Sequence, residues 1–383
     1  MKKPKILHVT YGTGKAGIEN CVIEVTKALG EEFEFGHLGL FGSGRLTEEF
    51  GEMGLYTVSA DLPIVRHLLY PLYFTHIPRL TKLIENFGAD VVIIYLPPFQ
   101  WFMAKAAKNA GAKVLFEAHL GISYHNPKLG AFVERRGVNC CDAAIAVSHY
   151  IANHYIKEFG VDRSKIGVVH NGIDVNRFRP AAEIERAEIR RDLGIPEDSL
   201  VIGTISRFAP AKEVPALAKV FANIADKHKN INLLLVGDGP EMPQVQAELA
   251  GIDPRRYYLP GFRKDTERMY RALDIFVMPS AFEAFPLILL EAMASGVACI
   301  STAVGGATEI GEDKEEVYYI QPGNNIVMQR AIEELIADKQ LRERMSAKAR
   351  IKAAKRFPLE DMIQKKKRIY ESLLEKNSAR LKG

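Results

Sequence analysis

The chain has 383 residues, 47% hydrophobic and 26% charged, the balance of a soluble globular protein long enough for two domains. Lysine and arginine number 51 against 47 acidic residues, a net charge of +4 that is too slight to argue for nucleic acid. Cys21, Cys140, Cys141 and Cys299 form no C-x-x-C pair, and no apolar run has the form of a signal peptide or a spanning helix. A reducing cytoplasm is expected, with any membrane contact peripheral.

In chain order, Lys5 to Thr10 reads as a strand. Gly12, Gly14 and Gly17 punctuate a turn before a helical pattern from about Ile18 to Leu29. The spacing Gly12-x-Gly14-x-x-Gly17 matches a dinucleotide fingerprint, yet no acidic residue closes a second strand where a ribose would sit. A loop that lets backbone approach a phosphate from another domain fits better. Strands follow at Phe35 to Phe41, Asp90 to Leu96 with a helix after Pro98, Lys113 to Ala118, and Asp142 to Val147 with a helix from Ser148. Such alternation predicts a doubly wound parallel sheet. Between them, Leu62 to Leu80 carries Arg66, His67, Tyr70, Tyr73, Phe74 and His76. It reads as a core helix with a polar face, or as a surface docking a lipid-linked glycan or membrane interface. His119 lies at the carboxyl end of its strand, where a lone histidine serves either as a structural hydrogen-bonder or in a site.

Asn171-Gly172 is a turn signal, and the polar segment from Asn176 to Asp198, with Pro180 and Pro196, is read as the interdomain connection. Alternation then restarts with Leu200 to Ser206. Arg207 and Lys212 flank a loop before the helix Val214 to Asp226, and two cations there suit a diphosphate, or simply face solvent. Asn232 to Val236 leads into Gly237-Asp238-Gly239-Pro240, and Tyr257 to Leu259 leads to Gly261.

The next stretch organises the rest. After the strand Leu273 to Pro279, Glu283 sits in a loop, and Pro286 falls where a first helical residue should be. From Leu287 to Ala294 only Glu291 is polar, so a helix buried all round is expected to carry one charge in its middle. That carboxylate needs a cation or hydrogen-bond donors, and ligand hydroxyls would serve. Val297 to Thr302, Gly305-Gly306 and Glu309 repeat the pattern of strand, loop and carboxylate. Loops at the carboxyl edge of a parallel sheet, with unpaired N–H groups at a helix start, suit a ligand bearing both hydroxyls and phosphates. A nucleotide sugar has both. After Tyr318-Tyr319-Ile320 the pattern is helical, and Lys365-Lys366-Lys367 in the last helix reads as a solvated amphipathic face, with membrane contact the minority reading.

These residues resemble, in their order, the GT-B glycosyltransferases of the large retaining family four, the glycosyl transferases group 1. The most specific piece is Glu283-Ala-Phe-Pro with Glu291-Ala-Met-Ala-x-Gly296, similar to that family's E-x-seven-E motif. Arg207 with Lys212, Gly237-Asp-Gly-Pro, Val169-His-Asn-Gly-Ile-Asp174, Gly305-Gly306-x-x-Glu309 and the loop ending Gly17-Ile-Glu19 add to it. The resemblance implies two Rossmann-like α/β domains facing across a cleft. Residues 1–178, joined by a C-terminal helix at 359–383, would form the acceptor side, and residues 179–358 the donor side. It further implies that Glu291 holds the ribose hydroxyls, Glu283 contacts the donor sugar, and Arg207 and Lys212 neutralise the departing diphosphate. Gly17 would admit the phosphate and His119 would reach the sugar. Backbone at Gly261, Phe262 and Arg263 would face the base, and Glu309 would support the phosphate loop. Phe285, Pro286 and Leu287, at the helix start, complete the donor-binding set.

The expected partners are a nucleotide-sugar donor, a UDP-sugar before GDP-mannose, and a glycan or lipid-linked acceptor, with no cofactor and no metal. The sequence departs from the family pattern at Ala284, Ser206, Glu213 and Lys15-Ala16, none of which removes a charged group. A nucleotide-sugar epimerase and a non-catalytic sugar-nucleotide-binding protein are the competing readings.

Overall fold

The computed structural model describes residues 2–12, 17–63, 67–95, 97, 99–119 and 127–378. The chain divides into two compact units, residues 1–171 with 361–383, and residues 172–360. The first is built on β1 (Lys5–Thr10), β2 (Glu34–Gly39), β3 (Tyr56–Ser59), β4 (Val91–Ile94), β5 (Lys113–Ala118), β6 (Ala143–Ala146) and β7 (Ile166–Val168). These seven strands pair in parallel in the order β3-β2-β1-β4-β5-β6-β7. The second is built on β8 (Leu200–Ile205), β9 (Ile231–Val236), β10 (Tyr257–Gly261), β11 (Ile275–Met278), β12 (Ala298–Thr302) and β13 (Val317–Ile320). Its order is β10-β9-β8-β11-β12-β13, again parallel.

Helices cover both faces of such sheets, so their strands are apolar on both sides. Val91–Ile94 and Ile231–Val236 are buried throughout. Each sheet reverses direction once, between β1 and β4 and between β8 and β11, and loops that part at such a point leave a crevice for a ligand.

Three expectations change. The polar segment from Asn176 to Asp198 contains a helix, Glu183–Leu193, packed on the second unit. Arg190, only 4% exposed, donates to the carbonyls of Ala272, Glu197 and Ser199 and to Asp274. Those bonds satisfy a guanidinium that composition alone would leave in solvent. Within Leu62 to Leu80, residues His67–His76 form a 3₁₀ segment rather than an α-helix, followed by the helix Ile77–Phe87. Tyr73 in that segment is buried against Phe41, Phe99 and Phe102, as the core reading requires, while Leu72 is exposed. Of the residues named earlier, Gly14, Lys15, Ala16, Arg66, Leu96 and Pro98 lie outside the described residues, as do the side chains of His67 and Tyr70.

The third change concerns the last helix, Leu359–Ser378. Lys365 is exposed, but Lys366 is only 1% exposed. Met362, Ile363, Tyr370 and Leu373 are buried on the same helix, and their spacing places Lys366 within that apolar stripe. Among the described residues no helix is long and apolar enough to cross a membrane.

Candidate active site

In the second unit the loops after β8 and β11 diverge at the switch point, and they carry Lys212 and Glu283 respectively. The two side chains meet: Lys212 Nζ donates to Glu283 Oε1 at 2.6 Å, and Ser280 Oγ donates to the same oxygen at 2.7 Å. Glu283 is buried and Lys212 half-buried. Thr302 at the end of β12 holds the carbonyl of Ser280 at 2.6 Å, and the N–H of Gly306 donates to the Glu283 carbonyl. Three consecutive strand ends thus fix one carboxylate. Arg207, on the same loop as Lys212, is exposed, and its guanidinium makes no hydrogen bond or ion pair with a described residue. An ammonium and a guanidinium on one loop at a strand's carboxyl end are groups that can pair with phosphate oxygens.

The Arg207 loop is held from below by the Gly237-Asp238-Gly239-Pro240 turn. Phe208 N–H donates to the Asp238 carbonyl, and Glu241 N–H to the Phe208 carbonyl. Gly237 has φ +137°, and a Cβ there would lie 1.8 Å from the carbonyl oxygen of Ser206. We expect Gly237→Ala to destabilise the unit by on the order of 3 kcal/mol, through overlap with backbone that cannot yield. In a thermal melt this is a fall of roughly 6–12 °C in the transition of that unit. Glu213, where the family pattern has glycine, takes up a left-handed conformation with φ +49° at the start of the helix Val214–Ala225. The backbone retains the glycine-like shape while a carboxylate sits beside Lys212.

Glu291 lies in the helix Leu287–Ala294, whose other residues are buried or half-buried. Tyr270 OH donates to Glu291 Oε2 at 2.8 Å and supplies one of the expected donors. Burial nevertheless raises the carboxyl above its ordinary range, against the opposing effects of Tyr270 and of Arg177. The carboxylate is under-solvated and suited to accept further hydroxyls. Pro286 is the residue before the helix rather than its first member: φ −76° is helix-compatible, but ψ 109° is extended. No side chain caps this helix start; the N–H groups of Leu289 and Leu290 donate to the Pro286 carbonyl, so those of Leu287 and Ile288 are what the first turn can offer an anion.

The remaining donor-side residues take different places. Gly261 closes β10 with φ +73° and accepts from Gly237 N–H, while Phe262 beyond it is 70% exposed. Arg263 is engaged by Asp265 through two hydrogen bonds of 2.8 and 2.7 Å, which leaves backbone as the group this segment can offer. Phe285 is buried edge-on against Phe357, so its ring belongs to the core. Leu287 is half-buried as the first helical residue, and Glu309 is half-buried at the end of the 3₁₀ turn Gly305–Glu309.

In the first unit, Gly17 opens the helix Gly17–Leu29 and is exposed. His119 follows β5, 6% exposed, with Nε2 2.7 Å from Glu117 Oε1. Glu117, within β5, also accepts from Lys366 Nζ at 2.6 Å. The sequence reading missed Glu117 and misplaced Lys366. The signal was a carboxylate inside an otherwise apolar strand, which must find a buried cation.

The family model described as Glycosyltransferase Family 4 matches residues 16–177, and that described as Glycosyl transferases group 1 matches residues 185–352. Among solved structures, HepE of Anabaena in complex with UDP superposes with a TM-score of 0.83 at 21% identity, over 96% of this chain and 100% of that one. A glycosyltransferase from Rickettsia africae has a TM-score of 0.83 at 22% identity, over 98% and 99%. At these identities the likeness is one of fold. The N-acetyl-alpha-D-glucosaminyl L-malate synthase of Bacillus anthracis is 28% identical over 278 residues, 71% of each chain. The D-inositol 3-phosphate glycosyltransferase of Kribbella flavida is 31% identical over 187 residues, 46% of this chain and 43% of that protein, so the chain spans less than half of that relative.

Two doubly wound parallel sheets of seven and six strands define a GT-B architecture. The chain belongs to glycosyltransferase family 4, the glycosyl transferases group 1.

Proposed function

We propose that this protein is a retaining glycosyltransferase. It moves a hexose or N-acetylhexosamine from a nucleotide-diphosphate sugar, UDP-linked before GDP-mannose, to a hydroxyl of a glycan or lipid-linked acceptor in cell-envelope polysaccharide or glycoconjugate synthesis. The observation that carries this reading is the cluster at the second sheet's switch point. Lys212 and Arg207 supply positive charge, the start of the helix Leu287–Ala294 supplies N–H groups, and Glu291 supplies an acceptor for ribose hydroxyls. The UDP bound by HepE and the N-acetylglucosaminyl group in the name of the Bacillus anthracis relative are in keeping with it.

In the reaction, the bond from the sugar's anomeric carbon to the diphosphate oxygen breaks as the acceptor oxygen bonds to that carbon on the same face. The departing phosphate oxygen takes the acceptor's proton, and the products are the glycoside and the nucleoside diphosphate. Lys212, Arg207 and backbone N–H groups stabilise charge building on the diphosphate, the largest kind of contribution in such chemistry. Glu283 and His119 are assigned to contacts with the sugar. No metal is assigned a role.

Incubation of the purified chain with UDP-sugars and GDP-mannose in excess EDTA tests this directly. Release of a nucleoside diphosphate with a product of unchanged anomeric configuration is expected. Turnover that vanishes with EDTA and returns with a divalent ion, or an inverted product, would contradict the mechanism. A peripheral contact with the cytoplasmic membrane face belongs to the same proposal. Phe74, Trp101 and half-exposed Phe132 stack edge to face in the first unit, with Lys105 and Arg136 over their rings.

A further inference from the structure

The first unit buries a lysine, a glutamate and a histidine drawn from two distant parts of the chain. Glu117 Oε1 receives Lys366 Nζ at 2.6 Å and faces His119 Nε2 at 2.7 Å, while Glu117 Oε2 has no hydrogen-bond partner among the described residues. Lys366 and Glu117 are each 1% exposed. Burial alone would raise the Glu117 carboxyl, yet Lys366 and His119 together pull it down to about 2. The carboxylate is therefore ionised through the physiological range and can only accept. Two neighbours competing for one ionised oxygen must both be donors. His119 accordingly carries its proton on Nε2, and Nδ1, which makes no hydrogen bond to a described residue, is the ring atom left for a ligand.

We propose that Lys366 is a positioning residue for sugar transfer: held by the C-terminal helix, it acts through Glu117 to fix the tautomer and orientation of His119, so that Nδ1 meets a sugar hydroxyl. The proposal rests on the reading of His119 as a donor-sugar contact. Its physical logic is one of orientation: Lys366 Nζ and His119 Nε2 share Glu117 Oε1, so the lysine holds the carboxylate that holds the ring. The other titratable groups around this cluster are Tyr95 beyond β4, whose ring centroid is 5.7 Å from that of His119, His8 in β1, and Tyr370 on the same helix as Lys366. Burial raises both tyrosines well above their ordinary range and lowers His8 to about 3, so all three are neutral where the enzyme works. The charge felt by His119 is thus governed by Glu117 and Lys366.

The test is ¹⁵N NMR of the His119 ring in the full chain across pH, with wild type, Lys366→Met, Lys366→Arg and Glu117→Gln. It is paired with the pH profile of kcat/KM and with UDP binding as a control on the second unit. Wild type should show the Nε2–H tautomer. Lys366→Met, which leaves the Glu117 carboxylate without its lysine, should mix the two His119 tautomers and lower kcat about ten- to hundred-fold, the scale seen when a partner orienting an imidazole is lost. UDP affinity should stay unchanged, and Lys366→Arg should restore both tautomer and rate. If Lys366→Met does not fold, Glu117→Gln carries the same test, since a neutral amide no longer dictates the tautomer.

An Nδ1–H tautomer in wild type overturns the proposal. So does a His119 tautomer indifferent to both Lys366→Met and Glu117→Gln. A chain in which His119 responds as expected, yet which neither binds nor turns over any nucleotide sugar, overturns the functional reading and the sugar end of the proposal, and leaves the Lys366–Glu117–His119 relay standing.

Discussion

Lys212→Ala should slow sugar transfer by about 100- to 1,000-fold, with a much smaller change in affinity for the nucleoside diphosphate. A preorganised donor aimed at developing charge is worth on the order of 3–4 kcal/mol when its site excludes water. Lys212 meets the structural requirements: its ammonium is half-buried and directed by an ion pair rather than left to sample solvent. Its removal does more than delete a cation. Glu283, 8% exposed, would keep only the Ser280 hydroxyl as a side-chain donor, and its charge would then face the leaving diphosphate. The double variant Lys212→Ala/Glu283→Gln should therefore lose less than the sum of its parts, because the second change removes the repulsion created by the first. Strict additivity of the two effects in a kinetic cycle would show that the pair does not act on one ligand.

Glu291→Gln should weaken binding of the nucleoside diphosphate about ten- to hundred-fold while leaving the protein as stable as wild type, or more so, at neutral pH. The two effects share one cause. Burial raises the Glu291 carboxyl, so its folded-state pKa lies above that of the unfolded chain. Such a group contributes stability below the unfolded pKa, and that contribution is lost as pH rises through the folded value. At pH 7 the ionised carboxylate is a cost to the fold, offset in part by the Tyr270 hydroxyl and the charge of Arg177. Glutamine removes the charge and can still accept from Tyr270. It also forfeits the charge-assisted bonds to ribose hydroxyls, each worth about 1.5–3 kcal/mol. A thermal melt at pH 5 and pH 8 with and without UDP separates the two. The Tm advantage of the variant should grow with pH, and its ligand-induced rise should shrink.

The candidate cluster at the second sheet's switch point was legible because its residues depart from local pattern. A glutamate in the apolar helix Leu287–Ala294 and glycines after strand ends stand out, whereas two cations at a loop mouth could equally have faced solvent. Alternating strands and helices likewise announced two parallel sheets, since strands buried on both faces must be apolar along their length. Where the reading failed, charge misled it. Arg190 and Lys366 look like solvent-facing residues, and each is buried by partners far away in sequence: Asp274 and backbone carbonyls for one, Glu117 for the other. Nothing local to Lys366 names Glu117. The helix phase alone, shared with Met362, Ile363 and Tyr370, could have shown that this lysine points inward. Pro286 shows a subtler limit, as its fixed φ suits a helix while its ψ of 109° is extended and places it just before the first turn.

The account stands most directly on one titration: calorimetry of the full-length chain with UDP, and with GDP and ADP for comparison, in buffer containing EDTA. It predicts saturable binding of one diphosphate class, UDP foremost, at one site per chain, abolished or strongly weakened by Glu291→Gln and by Arg207→Ala. A folded chain that binds none of the three, or binds one with an affinity indifferent to both substitutions, would contradict the assignment of the second sheet's switch point as the donor site.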